Sequence, residues 1–360
     1  AFKQYSKYWG WYQNQPITNP NYHPNLSESM TSDGLFVYYR DFSDALLNYN
    51  WSDLDARNYM IDVYKWWIKE MGVDGYRFDV YWGPHRRANN GNGGENEMGQ
   101  PVREALRHTK PDIYLLAEDD GTGPGTEVIY ADMNGGVESG YDWSLYFNAF
   151  RNFWSSSTPG IDALNFRLLN GGSSSMGFLP GSNSYFLRFM ENHDEERISY
   201  LYGSFERTMP VATTLFTSVG LPLLYQGQEV GWGLGVSGFD PRRRGVIDWN
   251  FAGRTLLTPH YQKLAHIRRQ FPAFSTQDMI RANSGNDKVY AFARPYPDQN
   301  GITIVNFDGV QQNALVSLEA TGSLPHVIFR GGVKPGTTYY ASDLYNDTVY
   351  TVLFTGPSAT

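Results

Sequence analysis

Gly75-Tyr76-Arg77-Phe78-Asp79-Val80 is the stretch on which the reading of this chain turns. It is short, apolar and bounded by glycine, and it places a base and an acid two residues apart. On a strand such residues share a face, so Arg77 and Asp79 point the same way. Two later runs repeat the pattern of an apolar strand closing on an acid: Leu115-Leu116-Ala117-Glu118 and Phe189-Met190-Glu191-Asn192-His193-Asp194. Buried strands seldom end on carboxylates without a reason, because an unpaired buried charge is costly. Three such ends in succession predict acids gathered at the carboxyl edge of a parallel sheet, where α/β enzymes keep their chemistry.

Outward from these runs, the chain alternates. A helix is predicted from Asp55, capped by Asp53 or Asp55, with Met60, Val63, Trp67 and Met71 on one face and Gly72 ending it. Then come a strand over 73–80, a helix over 101–109, a strand over 113–118, a helix over 146–154, a strand over 185–192, a helix over 207–219, a strand over 221–225 and a helix over 258–270. Helices alternating with apolar strands imply βαβ units and a parallel sheet. Before them, residues 1–50 read as a loop-rich segment, with Pro16, Asn19, Pro20, Asn21 and Pro24 breaking any period. After Phe271-Pro272 the pattern changes to short β-rich runs at 288–294, 301–307, 313–318, 326–330, 337–341 and 348–354. The expected organisation is a barrel portion over 51–274 and an antiparallel β domain over 275–360.

Composition narrows the function. Thirty-seven acids against 29 lysines and arginines leave a net charge of −8, which argues against nucleic acid as a partner. The one basic run, Arg242-Arg243-Arg244, reads as local ion pairs. With no cysteine, disulfides, thiolate metal sites and a cysteine nucleophile are excluded. No run approaches the ~18 apolar residues of a membrane span, so no membrane partner is expected. The first residue is Ala1, not Met, from which a removed or omitted upstream segment is expected. That start is compatible with an extracellular or periplasmic location, with the cytoplasm left open.

The acids carry the chemistry. A guanidinium beside Asp79 keeps that carboxylate ionised, as a nucleophile requires. Glu118 has no basic neighbour in sequence and is followed by Asp119 and Asp120, surroundings that suit a proton donor. Two carboxyls in diverging environments fit glycoside hydrolysis. His193 and Asp194 add an imidazole and a third acid able to grip sugar hydroxyls. Taken singly, each has a plainer reading: a strand-end ion pair for Arg77 and Asp79, a turn cap for Glu118, a satisfied polar histidine for His193. Gly121-Thr122-Gly123-Pro124-Gly125 lacks the lysine of a phosphate loop, and the seven histidines show no metal spacing.

Gly75–Val80 resembles the second signature region of the α-amylase family, Ala117-Glu118 its third, and Phe189–Asp194 its fourth. Trp51-Ser52-Asp53-Leu54-Asp55 resembles the segment before the preceding helix, and Gly220-Leu221-Pro222-Leu223-Leu224-Tyr225-Gln226-Gly227-Gln228-Glu229 the eighth strand. Asp240-Pro241-Arg242-Arg243-Arg244 and Asp248-Trp249 are similar to the loop after it. The resemblance covers residues 36 to 275 well. It implies a (β/α)8 TIM barrel, a retaining mechanism and α-1,4-glucan substrates such as starch and maltooligosaccharides. It also implies Asp79 as nucleophile, Glu118 as general acid/base, Asp194 as transition-state stabiliser, Arg77 as the group orienting Asp79, and His193 as a ligand for sugar hydroxyls. A transglycosylase on the same scaffold and a non-catalytic glucan-binding protein are the alternatives.

The sequence also departs from the family. Its first signature region is absent, and about five βα units can be found. The expectation is therefore the C-terminal portion of a barrel followed by an antiparallel β-sandwich, with residues 1–50 as a remnant of the excursion after the third strand and a separate N-terminal fragment as a candidate partner completing the barrel. Trp82 and Gly83 stand where the family often has Lys-His. The usual calcium ligands are thus not found; no cofactor is required, calcium is left open, and Trp82 is a candidate for stacking on the leaving group.

Overall fold

Each of the three acid-ended runs forms a parallel strand, as expected. The computed structural model describes residues 6–25, 28–40, 46–81, 98–118, 137–155, 159–170, 186–297, 299–316 and 338–353. The chain divides into two compact units, Ala1–Tyr141 with Pro180–Tyr185, and Asp142–Leu179 with Phe186–Thr360. Among the described residues, no helix is long and apolar enough to cross a membrane.

In the first unit, the segment read as loop-rich holds a small antiparallel sheet of β1 (Asn14–Pro16), β2 (Glu28–Met30) and β3 (Phe36–Tyr39), in the order β1-β3-β2. These strands are three or four residues long, too short to show a period. Pro16 lies on an edge strand, where a missing N–H is tolerated. Helix α1 (Leu54–Met71) starts where Asp53 accepts a hydrogen bond from the Ala56 amide at 3.0 Å, and it stops at Gly72 in the left-handed conformation. Its buried face is Ala56, Ile61 and Ile68; Trp67 and Met71 are exposed. Of the expected face, Met60 packs half-buried against the core and Val63 is half-buried, while Trp67 and Met71 turn to solvent.

Strand β4 (Gly75–Phe78), helix α2 (Gln100–Thr109), strand β5 (Tyr114–Ala117) and strand β6 (Ser139–Gly140) follow, with the sheet order β4-β5-β6 and all pairings parallel. The register pairs Gly75 with Tyr114 and Phe78 with Ala117. At Gly75 the strands approach so closely that a Cβ would lie 2.3 Å from the Tyr114 carbonyl oxygen. Phe78, Tyr81, Val102, Leu106, Ile113, Leu115 and Ala117 form the core around the sheet.

The second unit opens with one helical turn, Trp143–Leu145, running into a π-turn, Tyr146–Phe150, where an uninterrupted helix over 146–154 was expected. The wide turn, closed by the Arg151 amide on the Tyr146 carbonyl at 2.8 Å, buries Tyr146, Ala149 and Phe150 together. Helix α3 (Ile161–Asn170), strand β7 (Leu187–Phe189), helices α4 (Ile198–Tyr202) and α5 (Thr208–Thr217), strand β8 (Leu221–Leu223), and helices α6 (Phe239–Arg244) and α7 (Arg254–Gln270) come next. Strands β7 and β8 pair in parallel, Phe189 opposite Leu223. Beneath β7, Arg188 and Asp142 form a fully buried ion pair at 3.1 Å.

In the C-terminal part the described residues form two antiparallel sheets. Strands β9 (Ile280–Ala282), β10 (Val289–Arg294) and β11 (Gly301–Asn306) make one antiparallel sheet, and β12 (Thr338–Asp343) with β13 (Thr348–Leu353) a separate hairpin. Residues 313–316 form no strand, and the run expected at 326–330 lies outside the described residues. Tyr290, Phe292, Val305 and Phe307 share one apolar cluster with Phe153, Leu164, Leu215, Tyr261 and Leu264. Near residue 275 helices give way to antiparallel strands, and both contribute to this cluster.

Candidate active site

Within the first unit, the ends of β4 and β5 bring Arg77, Asp79 and Glu118 together. The Arg77 guanidinium sits 2.7 Å from Asp79 Oδ1 through Nη1 and 2.8 Å from Glu118 Oε1 through Nη2. Its Nε donates to the Tyr141 hydroxyl at 3.0 Å. Burial by itself would pull the Arg77 pKa down, but the hydrogen bond to Asp79 and the neighbouring Tyr141 and Glu118 outweigh it and hold it above its ordinary value. Asp79 is open, with 71% of its side chain accessible, whereas Glu118 keeps 13%. An exposed carboxylate oriented by a cation and a recessed one beside it suit attack and proton transfer. Glu118 has no basic neighbour along the chain, but Arg77 reaches it across the parallel ladder.

The turn after β4 is shaped for this. Glu118 donates its amide to the Phe78 carbonyl at 2.9 Å, Tyr81 donates to the Glu118 carbonyl at 2.8 Å, and the Val80 amide donates to Glu118 Oε2 at 3.0 Å. Val80 has a φ of 49°. Trp82 and Gly83, with Asp119 and Asp120, lie outside the described residues.

Within the second unit, the end of β7 presents His193 and Asp194. Asn192 makes the corner: its Oδ1 accepts from the amides of Asp194 at 2.9 Å and Glu195 at 3.0 Å. Buried Glu191 anchors the corner from below, taking the Arg197 Nη1 at 2.7 Å and the Ile198 amide at 2.6 Å. Burial pushes the Glu191 pKa up, and the Arg197 charge pulls against it. His193 Nε2 lies 3.2 Å from Asp194 Oδ2. Burial likewise raises Glu195, opposed by the hydroxyl of Tyr146 and the charge of Arg151.

The basic run does more than pair locally. Arg243 bonds Asp240 at 2.7 Å, as a local pair should, but its Nη1 also donates to the Asp194 carbonyl at 3.0 Å. Arg244 donates to the His193 carbonyl at 2.8 Å and pairs with the Asp194 carboxylate. The sequence alone does not reveal these roles for Tyr141, Val80 and Asn192, and it shows the arginines only as local ion pairs. Asn192 was legible in principle, since asparagine before two polar residues at a strand end is a turn former; the others depend on contacts far apart in the chain.

The profile of the family described as "Alpha amylase, catalytic domain" matches residues 2–274. A cyclomaltodextrinase of Thermoanaerobacter pseudethanolicus is 24% identical over 320 residues, covering 85% of this chain and 48% of that protein. Alpha-amylase MalA of Haloarcula japonica is 27% identical over 268 residues, covering 73% of this chain and 35% of that protein. The chain therefore spans half or less of the length of these relatives. Among solved structures, the alpha-amylase of Geobacillus thermoleovorans complexed with acarbose superposes with a TM-score of 0.67 at 18% identity, over 98% of this chain and 69% of that one. That likeness is one of fold.

Proposed function

The chain belongs to the α-amylase family, and from that premise we propose that it carries the catalytic machinery of a retaining glycoside hydrolase acting on α-1,4-glucans. The observation that carries the reading is the single guanidinium of Arg77 holding Asp79 and Glu118 side by side. Carboxyls in retaining enzymes lie about 5–5.5 Å apart, closer than the ~6.5–9.5 Å of inverting ones, and one shared cation favours the short spacing. The relatives carry names for glucan-cleaving enzymes, including a maltogenic alpha-amylase of Bacillus acidopullulyticus at 24% identity.

In this reading an Asp79 carboxylate oxygen attacks the anomeric carbon as the bond to the leaving oxygen breaks, and Glu118 gives that oxygen its proton. Arg77 holds Asp79 aimed. The sugar is then an ester of Asp79. Water attacks the same carbon, Glu118 takes the water's proton, and the ester bond breaks to restore Asp79. Esterification removes the Asp79 charge and leaves Arg77 paired with the Glu118 carboxylate alone. Asp194 is assigned, by likeness of motif, to stabilise the oxocarbenium-like transition state, and His193 to bind sugar hydroxyls. All of these steps use side chains and water.

Incubation with a 5-fluoro-α-glucosyl fluoride, which esterifies the nucleophile and turns over slowly, followed by peptide mass mapping, should place the label on Asp79. Asp79→Ala should lose roughly 10⁴-fold or more in kcat on maltooligosaccharides. A label on another residue, or turnover retained in Asp79→Ala, removes the assignment. Chromatography of the products of the unlabelled reaction separates hydrolysis from transfer, because transfer yields oligosaccharides longer than the substrate.

A further inference from the structure

We propose that Val80 is a positioning residue for Glu118: its amide donates to the neighbouring carboxylate, and its left-handed φ turns the chain so that the Tyr81 amide closes on the Glu118 carbonyl, so that the turn presenting Asp79 also fixes the proton donor. The inference rests on the reading of those two acids given above and adds a residue to it.

Among the described residues other than glycine, Val80 and Asp347 have positive φ. Asp347 sits in the turn joining the two strands of the β12–β13 hairpin, where aspartate is well suited to that conformation. Val80 has no such excuse: a β-branched residue is among the worst choices for a left-handed backbone, and such strain persists where the surroundings impose it and function uses it. Here the surroundings are three hydrogen bonds that bracket Asp79. Phe78 accepts from the Glu118 amide, Val80 donates to Glu118 Oε2, and Tyr81 donates to the Glu118 carbonyl, at 2.9, 3.0 and 2.8 Å. The Tyr81 side chain, 1% exposed and 5.7 Å from the Phe78 ring, anchors the far side of the turn.

The effect on Glu118 is specific. Arg77 Nη2 holds Oε1 and the Val80 amide holds Oε2, so both oxygens are engaged and the carboxyl plane is fixed. An extended Val80 would carry the chain straight on and take the Tyr81 amide off the Glu118 carbonyl, removing the anchor that holds the turn, and with it the Val80 amide, against Glu118. Proton transfer needs the donor within hydrogen-bond reach of the leaving oxygen, so a carboxyl free to swing is a poorer acid. Val80 touches neither substrate nor reacting atom in this account; it acts through Glu118.

The test compares leaving groups. Maltotriose needs its leaving oxygen protonated, whereas α-maltosyl fluoride expels fluoride with little help. Replacing the Val80 amide by an ester, through incorporation of α-hydroxyisovalerate, removes the N–H and keeps the side chain. It should lower kcat/KM on maltotriose about 10–100-fold and on the fluoride less than about 3-fold. Val80→Gly, which accepts the same φ but no longer restricts it, should lose about 3–10-fold on maltotriose, again sparing the fluoride. Equal losses on both substrates in either variant, or no loss on maltotriose, would overturn the proposal. Unaltered protein inert towards both substrates would instead sink the reading of Asp79 and Glu118.

Discussion

Arg77 shows how much one side chain can organise. Its fork donates to two carboxylates and a phenol, an arrangement that a lysine ammonium, compact and without the planar spread, does not match. Arg77→Lys should keep the fold and lower kcat/KM on maltooligosaccharides by about 10²-fold, mostly through kcat, because the two acids lose their common orientation. Steady-state kinetics with a thermal melt as control check this. Half of the arrangement was legible in the sequence: Arg77 and Asp79 are two apart on a strand and must share a face. The other half was not. Glu118 is 41 positions from Arg77, and only the parallel register, with Phe78 opposite Ala117, puts it within reach. Val80 was illegible for a different reason, since nothing about a valine announces a left-handed backbone.

At the scale of elements, the β12–β13 hairpin is tied to helix α7 by a buried histidine. His260 Nε2 lies 3.0 Å from the Met209 carbonyl, which can only accept, so Nδ1 is left to accept from the Tyr345 hydroxyl at 2.7 Å. Burial lowers the His260 pKa below its ordinary 6.5, with the bond to Met209 opposing. The unfolded chain therefore binds this proton first as pH falls. The stabilisation is fully present above pH 6.5 and is lost as pH drops from there through the folded value. His260→Leu should cost about 1–3 kcal/mol near pH 8, because Tyr345 and Met209 lose a buried partner. Its melting temperature should fall less than that of the unaltered protein between pH 7 and 5, which melts across that range would show. Elements with strong local signals were legible: α1 by its Asp53 and Gly72 caps, and β10 and β11 by their apolar runs. The strands of residues 14–39 and the π-turn were not, the first for lack of length and the second because a fifth residue per turn leaves no mark on an aromatic-rich run.

At the scale of the molecule, the C-terminal sheet belongs to the hydrophobic core of the second unit. Met279, Tyr290, Phe292, Val305 and Phe307 supply one side of the cluster whose other side is helical. A chain ended at residue 274 should lack a cooperative thermal transition for that unit, and Phe292→Ala in the full chain should cost about 3–5 kcal/mol. Calorimetry of both would check this. The parallel arrangement of the acid-ended strands was legible because alternation of helix and strand leaves few alternatives. That the C-terminal strands would pack on helices of the same cluster was not legible, since a shift from helices to strands says nothing about what the strands pack against. One small feature reaches across these scales. At Gly75 the two parallel strands touch at the end remote from the chemistry, three positions before Phe78, or about 10 Å of strand. A methyl group there would act as a wedge between two stiff rods and splay their far tips, where the acids sit. Gly75→Ala should thus leave a folded protein whose acids are gapped differently, and the anomeric form of freshly released sugar, followed by polarimetry, would register the altered gauge.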